Sequence, residues 1–450
     1  MVFSSFVFLF RFLPVFLMIY FMAPEKFRNL VLFAGSIAFY TYGEAAYVLL
    51  LLASVVINYL IGVEMNSQWA RGSDISRRVL LFTALFYDFG MLFFFKYSGM
   101  TEKLPLGISF YTFQIAAYVI DVYWKKVPEE RSFINLGTYL TMFPQLIAGP
   151  IVNYAEVNKS LRKRTVTFAE FEQGIRILII GLGAKVIIAD RIGMLWNSVQ
   201  TIGFNSISTK LAWLGAIAYS MELYFDFSGY SMMAIGLGKM LGFQIPVNFR
   251  FPYISKSITE FWRRWHITLG RWFRDYVYIP LGGNRKGKGR TLFNLFVVWS
   301  LTALWHGADY NFLIWGGMLL GLMFIEKLFL YPYLEKSKVL SHLYLLLVVP
   351  VTWVAFAISD VHQLGIYLAR MFPVVRIQTG VINPQDFANY LQDYAGLLLL
   401  GAIFSTPLPA KIYGRIKNSV AGTIAVAVIF ILCMYYLAIS ENNPFLYFNF

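Results

Sequence analysis

One cysteine, four histidines and only 14% charged residues leave this 450-residue chain short of the groups from which most soluble active sites are assembled. Cys433 lies alone in the apolar run 422–439, which excludes an intrachain disulfide and speaks against a thiol nucleophile. His342 and His362 stand near the two ends of the run 339–359, and nothing places them beside the other two histidines, so no metal site is expected. The chain lacks G-x-S-x-G, H-E-x-x-H, paired C-x-x-C and G-x-x-x-x-G-K-S/T, which removes serine-hydrolase, zinc-protease, zinc-ribbon and P-loop readings. Polar loops are short, the longest near 155–170 and 374–392. With no linker and no soluble extension, residues 1–450 read as a single polytopic domain whose site lies inside its helical body. No nucleic-acid partner and no permanently bound cofactor are expected.

Hydrophobic residues make up 58% of the chain and aromatics 18%, far from soluble averages. Uncharged runs recur at 30–42, 45–63, 79–87, 291–308, 310–325 and 339–359. Several approach the length that crosses a bilayer core, and the pattern predicts about eleven transmembrane helices plus re-entrant or interfacial ones. Strand barrels would instead show short segments of alternating polarity. The expected class is an all-α integral membrane protein. The opening MVFSSFVFLFRFLPVFLMIYFM has no small-x-small cleavage site behind it and reads as a retained helix, with Arg11 snorkelling to the interface.

The net charge is +14, and half of it is concentrated between Lys256 and Arg290, where nine Lys/Arg face only Glu260 and Asp275. Further basic clusters occur at Arg71, Arg77 and Arg78 and at Lys159, Arg162, Lys163 and Arg164. The positive-inside rule places these three loops in the cytoplasm, with Lys26 and Arg28 on the same side and the N-terminus outside.

Two histidines remain as ionisable groups at membrane depth, which makes them functional candidates by default. His266 lies in FWRRWHITLGRWFRDY, at the edge of an aromatic stripe at helical spacing formed by Phe261, Trp262, Trp265, Leu269, Trp272, Phe273 and Tyr276. His306 ends the uncharged run after Arg290, so a continuous helix would carry it about 24 Å from that basic edge. A neutral imidazole there can accept a proton from an alcohol, which permits general-base acyl transfer. Pro/Gly-punctuated stretches at 104–114, 143–154, 241–254 and 278–283 predict broken helices, tolerated at membrane depth only where protein buries them or water lines them. The Gly-rich runs around Gly181/Gly183 and Gly236/Gly238 read as close helix packing rather than nucleotide loops.

FWRRWHITLGRWFRDYVYIPLGGNRKG followed by WHGADYNFLIWG, together with PLGISFYTFQ, FPQLIAGPI, YFDFSGYSMMAIG and NPFLYFNF, resembles the membrane-bound O-acyltransferase (MBOAT) family and within it the bacterial alginate O-acetyltransferase branch. The resemblance implies helices ringed around a central tunnel, with acetyl-CoA as cytoplasmic donor and an exported cell-surface or secreted polysaccharide as acceptor. It implies an extracytoplasmic acetyltransferase or esterase-fold partner protein, and a multi-pass location in the bacterial inner membrane. It makes His306 the essential catalytic residue and His266 a residue lining the tunnel; His306 would then act as general base on the acceptor hydroxyl, or on a relay group of a partner protein, and His266 would orient or polarise the thioester carbonyl. Arg263, Arg264, Arg271, Arg274 and Arg285 would attract the polyanionic donor. Trp262, Trp305, Asp226 and Tyr230 would line the tunnel. Asn153 stands where relatives often carry a basic residue. The competing readings are a D-alanyl transferase for teichoic acid with a carrier-protein donor, and a proton-coupled transporter.

Overall fold

Apolar runs become helices here because a backbone polar group facing lipid must be bonded within its own segment. The computed structural model describes residues 2–100, 104–374 and 380–439, and among these every regular element is helical. The closing NPFLYFNF, 443–450, lies outside the described residues. Among the described residues, five helical stretches are long and apolar enough to cross a membrane: Glu25–Ala70, Asp74–Tyr97, Tyr310–Lys336, Lys338–Ala357 and Val420–Ile439. A sixth arises if Asp386–Phe404 and Leu408–Ile416, bent by 72°, count as one span. Helices such as Ile108–Tyr123, 16 residues long, and Thr209–Met240, which carries Glu222 and Asp226, fall below that test.

The chain forms two compact units, Met1–Gly181 with Tyr230–Val247 and Leu182–Gly229 with Asn248–Phe450. In the first, Phe8, Phe12, Phe16 and Phe39 gather on Phe143. Phe143 opens the four-residue helix Phe143–Leu146 inside the Pro/Gly-rich FPQLIAGPI. Its neighbour Gly107, at φ +75, lies so near the 146 carbonyl that a Cβ would sit 2.5 Å from it, hence glycine at this break. Gly236 packs as the sequence predicted. A Cβ on Gly236 would lie 2.6 Å from the Gly174 carbonyl oxygen and 2.6 Å from the Leu178 nitrogen, so two helices touch through bare backbone.

Polar contacts gather the basic loops of this unit at one end. Arg164 donates to Asn29 Oδ1 (2.6 Å), Arg162 reaches Glu130 (3.6 Å), Asn66 donates to Glu129 (2.9 Å), and Arg77 donates to the Tyr123 carbonyl (2.6 Å). Glu44, at the far end of helix Arg28–Glu44, instead accepts from the Leu106 amide (2.6 Å). Asn153, at the N-terminus of helix Tyr154–Arg162, is engaged in capping, its amide donating to Glu156 at 3.0 Å. Thr167 and Glu170 form the same reciprocal box before helix Phe168–Gly183. The Thr167 amide and hydroxyl bonds hold the exposed Glu170 carboxyl below its usual range.

Candidate active site

Both candidate histidines belong to the second unit, and each stands where a helix stops. The continuous aromatic helix expected across residues 261–276 is instead broken at Trp265–His266. Ile258–Arg264 ends there, and Ile267–Phe273 begins with His266 as N-cap in the left-handed region, φ 44° and ψ 54°. A side chain pays about 1–2 kcal/mol to sit there, so neighbouring contacts must hold it. They come from the extended segment preceding Pro252. The Arg250 amide donates to the Arg264 carbonyl and the Ile267 amide to the Asn248 carbonyl, both at 2.9 Å. Glu326, buried, accepts from the Ile258 and Thr259 amides and so caps the first of the two short helices.

His306 is the last residue of the helix Gly287–His306, which runs uninterrupted from Arg290 to the imidazole. Gly307 follows in extended backbone, and a Cβ on it would lie 2.2 Å from the Phe312 ring. The close approach that demands glycine is thus made by Phe312. Asp309, exposed, occupies the N-cap position of helix Tyr310–Ile325. Asn311 donates to the Phe356 carbonyl (2.9 Å), which seats Phe356 edge-on to the His306 ring at 5.2 Å.

Trp305 lies against both imidazoles. Its ring lies 6.2 Å from that of His266 and 4.7 Å from that of His306. Phe227 meets His266 edge-on at 4.8 Å, and Trp315 meets His306 edge-on at 4.9 Å. Trp262 packs onto Trp299 and Trp315 at 5.0 and 5.6 Å, extending the same aromatic enclosure. His266 is 3% and His306 7% exposed, so both rings sit inside this packing. On the other side of His266, Nδ1 is 3.1 Å from Asn248 Oδ1.

The remaining sequence-level candidates divide. Asp226 is buried and paired with Lys185 at 2.6 Å, and Lys185 also meets Asp190 at 2.7 Å. Tyr230 falls in the first unit, its ring stacked on Phe3 at 4.8 Å. Of the arginines, Arg264 is bonded to Glu260 (2.9 Å) and Arg274 to Asp275 (2.7 Å). Arg263 and Arg285 are exposed, and Arg271 is half-buried. Asn248 and Lys185 escaped the sequence reading. Lys185 carried a usable signal, a lone cation inside IIGLGAKVIIA. Asn248 carried none, because its partner lies 18 residues away across the helix Ile258–Arg264.

The description membrane-bound O-acyltransferase family fits residues 125–361, just over half of the chain. A protein of Pseudomonas putida named "Probable alginate O-acetylase AlgI" is 36% identical over the whole of both chains. A peptidoglycan O-acetyltransferase of Helicobacter pylori is 29% identical over 100% of this chain and 98% of its own. A teichoic acid D-alanyltransferase of Bacillus subtilis is 32% identical over 47% of this chain and 56% of its own. A multi-pass helical membrane body and an extended match to these sequences leave one assignment: the chain belongs to the membrane-bound O-acyltransferase family and is an O-acyltransferase.

Proposed function

We propose that the protein is a bacterial inner-membrane O-acetyltransferase that takes acetyl from cytoplasmic acetyl-CoA and delivers it to hydroxyls of an exported cell-envelope polysaccharide, directly or through an extracytoplasmic partner protein. The observation that carries this reading is the placing of His266 and His306 against one indole, Trp305, inside a buried aromatic enclosure. Full-length similarity to alginate O-acetylases, against partial similarity to D-alanyltransferases, supports acetyl as the cargo and a glycan as its destination.

In this reaction His306 accepts the proton of the attacking hydroxyl as its oxygen bonds to the thioester carbon. The carbon–sulfur bond then breaks, and the proton passes to the departing thiolate, giving free CoA thiol and an O-acetyl ester. Water exclusion by the tryptophans protects the thioester from hydrolysis. Because His306 is only 7% exposed, the aromatic side chains must part to admit the acetyl group. Arg263, Arg271 and Arg285 supply the basic surface on which the donor's phosphates first settle.

Purified protein given acetyl-CoA and a de-O-acetylated mannuronate oligosaccharide should release free thiol in step with ester formed on the sugar. Deletion in cells should strip alkali-labile acetate from an envelope polysaccharide. Thiol release confined to D-alanyl-loaded carrier protein, with none from acetyl-CoA, would replace this reading by the D-alanyl one.

A further inference from the structure

Three hydrogen-bond donors converge on one oxygen beside His266. Asn248 Oδ1 lies 3.2 Å from the Thr268 backbone nitrogen, 2.9 Å from Thr268 Oγ1 and 3.1 Å from His266 Nδ1. A backbone N–H can only donate, so the Asn248 atom facing it is the carbonyl oxygen of the amide and not its NH₂. The imidazole nitrogen facing that same oxygen must then donate as well. Nδ1 of His266 therefore carries a hydrogen, and in the neutral ring Nε2 carries the lone pair. The main chain tightens the same lock. The Ile267 amide bonds to the Asn248 carbonyl at 2.9 Å, and the left-handed backbone of His266 aims the ring at the amide.

We infer that Asn248 is a positioning residue that fixes His266 in the Nδ1–H tautomer, so that Nε2 receives a hydrogen bond from a hydroxyl of the acceptor and orients it for transfer. The chemistry of the two reactants selects this partner. The acetyl end of the donor offers only a carbonyl oxygen and a sulfur, both acceptors, with which a lone pair makes no hydrogen bond. A saccharide offers several O–H donors, so in direct transfer His266 and His306 engage different hydroxyls of the same sugar. His266 thus stands on the acceptor's side of the reaction, and the carbonyl-polarising role suggested by sequence does not suit a nitrogen without its proton. The assignment of sides rests on the acyl-transfer reading given above. The tautomer does not.

Nitrogen-15 NMR of histidine-labelled protein in nanodiscs separates the two, with His266→Gln identifying the signal among four histidines. In the wild type at neutral pH, His266 should show a protonated Nδ1 and a bare Nε2. In Asn248→Ala this signature should disappear or mix with the other tautomer, whereas Asn248→Asp, whose carboxylate accepts from the same donors, should keep it. A protonated Nε2 in the wild type, whether in the opposite tautomer or the cation, overturns the inference. Kinetically, Asn248→Ala should cut transfer to the mannuronate oligosaccharide by about 10²-fold or more, as when a catalytic imidazole loses the group that fixes its tautomer. Binding of acetyl-CoA by calorimetry should stay within about twofold. Asn248→Asp should restore part of the rate and move the acid limb of the pH profile upward, because the added negative charge favours the imidazolium. A tenfold loss of acetyl-CoA affinity in Asn248→Ala would put His266 on the donor side. Absence of any transfer by the wild type would sink the acyl-transfer reading while leaving the tautomer to stand or fall on its spectrum.

Discussion

His306 contributes two separable things, a ring that packs and a nitrogen that can take a proton. The ring lies edge-on to Trp315 and Phe356, at 4.9 and 5.2 Å, so truncating it removes buried contacts as well as chemistry. His306→Ala should lower acetyl transfer by about 10²–10⁴-fold, the share usually held by a general base. His306→Gln, which fills more of the space, should be equally inactive while eluting as a folded monodisperse protein in detergent. Full activity in either variant would remove His306 from the mechanism. Lys185 is a residue of the opposite kind, a lone cation in an apolar run that is paired to two carboxylates, at 2.6 Å to Asp226 and 2.7 Å to Asp190. Glu222 lies near, its carboxylate only 2.3 Å from where a Cβ on Gly193 would be. Lys185→Met strands buried negative charge and should cost about 3–5 kcal/mol. Lys185→Met combined with Asp226→Leu should regain part of that loss, and thermal unfolding in detergent reads both. Equal stability of Lys185→Met and wild type would mean that the pair holds nothing together.

At the scale of elements, what matters is where helices stop. Hydrophobic periodicity predicted one aromatic helix through residues 261–276, but the stripe is divided between two seven-residue helices, with Trp265 in the break between them and Tyr276 in the π-helical segment Arg274–Tyr278 that continues the second. The break follows from competition that a local pattern does not contain. Asn248 and Arg250 offer hydrogen bonds to the 264–268 backbone that an unbroken helix would have made internally. Helix contact obeys a simpler rule. Gly236 and Gly174 meet backbone to backbone, and nothing flexible can yield to a new methyl group there. Gly236→Ala should therefore destabilise the protein by about 1–3 kcal/mol or more, measured as a lowered unfolding midpoint. Gly321→Ala, in helix Tyr310–Ile325 with nothing within 4 Å of the added carbon, should be neutral or slightly stabilising. An unchanged midpoint for Gly236→Ala would show that the two helices slide apart at little cost.

For the whole molecule, orientation in the bilayer is a matter of charge. The basic loops of the first unit share one end, joined by Arg164 to Asn29 and Arg162 to Glu130, while Glu44 marks the other. Because Cys433 is the sole cysteine, a Cys433→Ser background lets single cysteines report sidedness. Lys163→Cys and Lys288→Cys should react with a membrane-impermeant maleimide only from the cytoplasmic side, and Tyr42→Cys only from outside. The reverse pattern would invert the proposed path of the acetyl group. Composition and uncharged runs were enough to specify a helical membrane protein. Proline and glycine clusters marked the breaks at 104–114, 143–154 and 241–254, and the motifs around His266 and His306 pointed to the family. These features are written locally, in which neighbours a residue has along its own helix. The meeting of both histidines on Trp305, the lock of Asn248 on His266 and the pairing of Lys185 with Asp226 join residues 18 to 41 positions apart or set one ring against another across helices. Only the folded chain decided them, because a hydrogen bond or ring contact depends on distance and angle in space, and period and spacing in a sequence constrain neither once the chain has turned.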